Sequence, residues 1–179
     1  MNAGQHGSNT GGRSETGGER SLAAYLHSHL IAAAAGERLF KQAAKSWEDS
    51  PHGQTLGRLW LEVTDDKTAL QGITDGLGLT VPAYKEPFAW IGAQVASLGP
   101  LNPLHSRTGA PGQLELEALI SAVTGKSLLW KTLALLARSD TRIGQERVTN
   151  LLARATGQLR ELEEILLETA AERFTDASQ

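Results

Sequence analysis

The stretch YLHSHLIAAAAGERLF, residues 25–40, brings two histidines and a carboxylate close together: His27, His29 and Glu37. Imidazole and carboxylate are ligands for transition metals, so the first question is whether these groups share a helix face. His27 and His29 are two residues apart, which separates them by about 200° around a helix. They cannot grip one ion from the same helix. Glu62 and Asp66 are four apart and do share a face. His29 and Asp66 each interrupt an otherwise apolar stripe, and Glu117 adds a carboxylate from a third segment. If a metal site exists, its ligands are drawn from His29, Glu62, Asp66 and Glu117. The structural alternative, which we favour, is that His29 faces Asp66 as a satisfied polar pair, because buried polar groups find partners.

The elements that must position these residues are helical. Leu22, Leu26, His29, Ala33, Gly36, Phe40, Ala44 and Trp47 recur at steps of three and four, which predicts a helix from Ser21, its N-cap, to Trp47. Ser50-Pro51 opens a second helix, whose stripe is Leu56, Leu59, Val63, Asp66, Leu70, Ile73 and Leu77. Gly76, Gly78 and Pro82 end it. The connection between the two is short, so they pack antiparallel. Residues 80–112 are bracketed by prolines and hold a short helix from about Pro87 to Leu98, with Phe88, Trp90 and Ile91 on it.

A third long helix runs from about Gln113 to Arg138. It is apolar on most sides and therefore largely buried. The fourth runs from about Ile143 to Phe174. Its core stripe is Val148, Leu152, Ala155, Leu159, Leu162, Leu166 and Thr169, and its solvated face carries Arg154, Arg160, Glu161, Glu164 and Glu168. The fold expected is all-α: a four-helix bundle of two antiparallel hairpins joined by a long crossover that contains a short helix. Residues 1–20, rich in Gly, Ser, Thr and Asn, form a disordered tail; 21–174 form the bundle; 175–179 form a second tail.

Helix lengths, the hairpin–crossover–hairpin order and the segments YLHSHLIAAAAGERLF, LELEAL (114–119) and GKSLLW (125–130) resemble the ferritin-like superfamily. More narrowly, they resemble a bacterial ferritin-like group that lacks the usual di-metal ligand motifs. The resemblance implies a bundle with one crossover. For the best-known members it also implies a di-iron or di-manganese site, built from one Glu on each of two helices and Glu-x-x-His on each of the others. No Glu-x-x-His occurs in this sequence, and the second, third and fourth helices contain no histidine. The resemblance therefore implies the fold and not the metal site, so no cofactor is expected. Iron or manganese at an altered ligand set is the alternative.

Other motifs fall to structural readings. Glu115 and Glu117 suit a helix N-terminus, where the dipole favours carboxylates. Lys126 in GKS lies within a helix and is not a phosphate loop, since Ile120 stands where that motif needs glycine. His52 and His105 belong to solvated connections. Trp47, Trp60, Trp90 and Trp130 read as packing. No cysteine is present, which excludes disulfides, thiolate catalysis and cysteine metal sites. With 17 basic and 20 acidic residues, a net charge of −3 makes no case for nucleic acid. No run reaches the roughly 18 apolar residues of a membrane span, and no signal peptide is seen, so a cytoplasmic location is expected.

Three functions compete. The favoured one is a non-catalytic ferritin-like bundle acting by self-association, as a homo-oligomer, or by binding a protein partner. The second is a metal-binding oxidoreductase or metal store using His29, Glu62, Asp66 and Glu117. The third is a small-molecule binder with an interhelical pocket, made room for by the Ala/Gly-rich first helix.

Overall fold

The computed structural model describes residues 16–79 and 109–174. They form four helices: α1 (Gly17–Ser46), α2 (Gly53–Leu77), α3 (Gly109–Leu136) and α4 (Gln145–Phe174). Among the described residues there is no strand. The chain is an all-α four-helix bundle, as the periodicity predicts. The expected short helix at 87–98 and most of the N-terminal tail lie outside the described residues.

The caps sit where local hydrogen bonding is best. Thr16, not Ser21, is the N-cap of α1. Its hydroxyl accepts from the Glu19 amide at 3.2 Å, and the Glu19 carboxylate accepts from the Thr16 amide at 2.9 Å. This capping box satisfies two orphan donors at once, so the helix begins within the segment expected to be tail. The Ser21 hydroxyl instead bonds back to the Gly17 carbonyl. Similarly, Ser50 does not open α2. It closes a turn, accepting from the His52 amide and donating to the Trp47 carbonyl, and α2 starts at Gly53. A Cβ at Gly53 would stand 2.5 Å from the Glu48 carbonyl oxygen and 2.6 Å from that of Trp47, so only glycine lets the turn close. Gly78 ends α2 at φ 62°, the left-handed cap that glycine adopts freely.

Cross-helix contacts fix the topology. Lys67 pairs with Glu37, and Lys41 lies over the Trp60 ring, so α1 and α2 are antiparallel. Arg173 reaches Gln113, and Lys126 reaches Gln158, so α3 and α4 are antiparallel too. Tyr25 meets Thr132 and Ser46 meets Glu115, which sets α3 antiparallel to α1. The chain therefore leaves α2 at one end of the bundle and re-enters α3 at the other. The order is up, down, down, up, which a single long crossover produces.

The two lateral faces differ. α1 and α3 come close through small residues: a Cβ at Gly36 would rest 3.9 Å from that of Ala122. The AAAAG run marks this approach. α2 and α4 are instead spanned by long charged side chains. All seven residues of the α2 stripe are buried, including Asp66 at 1% exposure. In α4 the buried row is Val148, Leu151, Ala155, Gln158, Leu162, Ile165 and Thr169. It shares four positions with the expected row, and Leu152, Leu159 and Leu166 are only half-buried. α3 differs most from expectation. It buries Leu116, Leu119, Val123, Leu129, Trp130 and Leu133, but leaves Leu114, Leu128 and Leu135 more than half exposed.

Two substitutions test the glycine arguments. Gly53→Ala should lower unfolding free energy by about 1–3 kcal/mol, because backbone must move. Gly36→Ala meets only ordinary contact and should raise it by up to about 1 kcal/mol through helix propensity. Urea denaturation of both variants reads the two signs.

Candidate functional site

Asp66 lies at the middle of the α2 stripe, facing the bundle interior. Its partners come from two other helices. Lys126 Nζ of α3 donates to Oδ2 at 2.5 Å, and Arg154 of α4 donates to Oδ1 from Nε at 2.8 Å and also from Nη2. Lys126 donates again to Gln158 Oε1 at 2.6 Å, and the Gln158 amide donates to Glu62 Oε2 at 2.9 Å. Glu62 accepts from Arg58 at 2.6 Å, and Arg58 also pairs with Glu161. The result is one network running from core to surface across α2, α3 and α4. Three carboxylates (Glu62, Asp66, Glu161) meet three cations (Arg58, Lys126, Arg154), so its formal charge is zero.

Spacing explains why these residues meet. Arg58, Glu62 and Asp66 follow at steps of four on α2, and Arg154, Gln158 and Glu161 follow at four and three on α4. The antiparallel register sets the two rows opposite each other. The stems of Arg58, Arg154 and Gln158 span the space between α2 and α4, and Lys126 reaches it from α3. Burial pushes Lys126 below its ordinary lysine value, with the Asp66 charge and hydrogen bond working against that shift. Burial likewise pushes Glu62 up, but hydrogen bonds from Gln158 and Arg58 and the nearby arginine charges outweigh it, leaving the carboxyl below its usual range.

The residues singled out from sequence thus separate. His29 does not face Asp66, whose oxygens are taken by Lys126 and Arg154; its ring packs edge-on against Tyr25 at 4.6 Å. The expected α1 row shares Leu26, Gly36, Phe40 and Trp47 with the buried one, and His29 lies half-buried at its edge, beside Tyr25. Glu117 is exposed and accepts from Gln113 on the same helix. Only Glu62 and Asp66 join the same network, and there they hold cations. Among the described residues, no group of three or more His, Cys, Asp and Glu side chains is placed to hold a metal ion. Glu37 pairs with Lys67, and His27 lines a groove of about 610 Å³ between α1 and α2. That groove lies away from the network, and its polar residues Gln71 and Asp75 bond each other at 2.8 Å.

Sequence reasoning missed Lys126, Arg154 and Gln158. Arg154 and Glu161 were assigned to a solvated face, yet both turn toward α2. A second buried carboxylate was also misread as a helix-dipole residue. Glu115 is 6% exposed and accepts from Trp47 Nε1 at 2.8 Å and from the Ser46 hydroxyl, while Arg173 stacks on the Trp47 ring at 5.2 Å. His52 is not fully solvated either, lying 4.0 Å from Glu168.

The class of protein that this geometry defines is an all-α four-helix bundle with a buried, charge-neutral polar network linking α2, α3 and α4. Comparison with protein-family models, with curated proteins and with solved structures gives no match.

Removing Asp66 leaves two cations uncompensated. Asp66→Ala should destabilise the fold by about 3–5 kcal/mol, whereas Asp66→Leu combined with Lys126→Met and Arg154→Met should be neutral or stabilising by about 1–4 kcal/mol. Chemical denaturation distinguishes the two.

His29 has its own signature. Burial holds its pKa below the ordinary histidine value of 6.5. The unfolded chain therefore binds more protons in the interval between the folded and unfolded values, and stability falls as pH drops below 6.5. The midpoint of thermal unfolding should fall over that interval in the parent protein and fall less in His29→Phe. Loss from Glu37 and Glu62, both held low by their partners, sets in only below their ordinary value of 4.5.

Proposed function

We propose that the chain is a non-catalytic helical module of ferritin-like type that acts by protein association through the outward face of α3. One observation carries this reading: Leu114, Leu128 and Leu135 lie 52%, 54% and 62% exposed on one side of a helix whose other side is core. Large apolar side chains in a row on a surface mark an interaction site. The most apolar 18-residue window of α3 has a mean hydropathy of 1.3, and Leu128 and Leu135 are the apolar residues of that window left exposed.

The polar network supports the same reading. A divalent cation at Asp66 would have to displace Lys126 and Arg154, and the charges of those two residues oppose it. Lys126 has a lowered pKa, which in other settings marks a nucleophile, but both Asp66 and Gln158 hold its Nζ. The carboxylates and the amine are committed to binding helices together.

Metal analysis tests this against the oxidoreductase or storage alternative. Protein purified without chelator should carry less than about a tenth of an equivalent of iron, manganese or zinc, and adding these ions should leave the unfolding midpoint unchanged. Stoichiometric metal, or a midpoint raised by it, would replace the association reading with the metal one.

A further inference from the structure

The exposed side of α3 repeats with a period of seven. Leu114, Ser121, Leu128 and Leu135 form one exposed column, and Glu117, Thr124, Lys131 and, just past the helix end, Arg138 continue a second column three residues on. Thr132, beside them, is half-buried. Steps of three and four are the seam of a coiled coil, and a seam needs a second helix to fill it. Inside the bundle α3 already has its partners, α1 and α4. This outer seam is additional.

The distribution of side-chain size and charge along the seam identifies the partner. Bulk lies at the two ends, in Leu114 and Leu135. The centre is small: Ser121, Thr124 and Gly125, and a Cβ at Gly125 would meet nothing within 4 Å. Charge is polar along the axis, with Glu117 toward the N-terminal end and Lys131 and Arg138 toward the C-terminal end. A parallel copy would set like charges side by side. An antiparallel copy, with its two-fold axis between Thr124 and Gly125, brings each Leu114 opposite the other chain's Leu135. Each Leu128 then faces the other chain's Ser121, and each Glu117 lies within one residue of the position facing the other chain's Lys131. Small central residues let the backbones approach, leucines close both ends, and the charges complement one another twice by symmetry.

We infer that the outward seam of α3 pairs antiparallel with α3 of a second copy of this chain. The inference rests on the association reading above and names its partner. The leucines alternate with Glu117, Lys131 and Arg138, which suits a charged, self-complementary protein seam better than a lipid surface.

Sedimentation of the full-length protein over about a hundredfold range of concentration tests it, since a dimer dissociates by mass action. The expected result is a dimer for the parent chain. Leu128→Glu should raise its dissociation constant by at least about a hundredfold, as burying charge at the centre of a seam does. Glu117→Lys alone and Lys131→Glu alone should each weaken pairing, and the double exchange should recover it. Far-ultraviolet circular dichroism of each variant should match the parent, because none of these side chains is buried in the monomer. A parent chain that stays monomeric throughout overturns the inference, as does a dimer indifferent to Leu128→Glu or unrecovered by the charge exchange. Binding of the parent chain to neutral or anionic phospholipid vesicles that Leu128→Glu abolishes, with no dimer, also overturns it and assigns the seam to a membrane surface. The metal assay above is independent, so bound iron or manganese would defeat the broader reading while leaving the dimer result to stand or fall separately.

Discussion

A carboxylate at 1% exposure is the constraint around which this bundle is organised. Asp66 cannot keep its charge in an apolar interior without compensation, and here it has a cation from each of two other helices. That requirement fixes three things together. It holds the register of α2 against α4, sets the rotation of α3 that aims Lys126 inward, and requires Gln158 to relay between Lys126 and Glu62. A slip of one helical turn at any of these would leave a buried charge unpaired.

The two lateral faces of the bundle divide the work. On the α1–α3 side, Gly36 and Ala122 allow close approach. At the end of that side, Trp47 and Ser46 enclose Glu115. On the α2–α4 side the contact is made by arginine and lysine stems, which contribute apolar length as well as a charged head. A buried ion network of this kind adds little net stability compared with an apolar filling, and the lowered pKa of Lys126 is a sign of that cost. Its value is specificity: α2 and α4 each present one long heptad row, and rows of leucine alone would tolerate shifts in register.

α3 connects this interior to the proposed function. One helix must supply Lys126 and Trp130 to the core and still carry exposed leucines, so apolar residues occupy most of its circumference. Inner and outer seams coexist because both repeat every seven residues, with different phases. The inner seam is filled by the chain itself. The outer seam carries a charge gradient from Glu117 to Arg138 that suits an antiparallel copy.

Much of the fold was legible in the residues. The α2 row from Leu56 to Leu77 is a complete heptad series, and all of it is buried. The glycine that ends α2 and the short link between α1 and α2 were equally plain, because local chemistry decides them. Asp66 stood out as a polar break in that row, so the location of the site was visible. Its composition was not. Arg154 and Gln158 sit on α4 beside residues that do face solvent, and phasing the α4 row through Leu152 and Leu159 in place of Leu151 and Gln158 turned them outward. Periodicity determines which helix faces are apolar, because it depends only on neighbours three and four apart. Which charged side chain on one helix meets which on another depends on interhelix distance and rotation, and tertiary packing alone sets those: it gave Asp66 to Lys126 and Arg154 and left His29 to Tyr25.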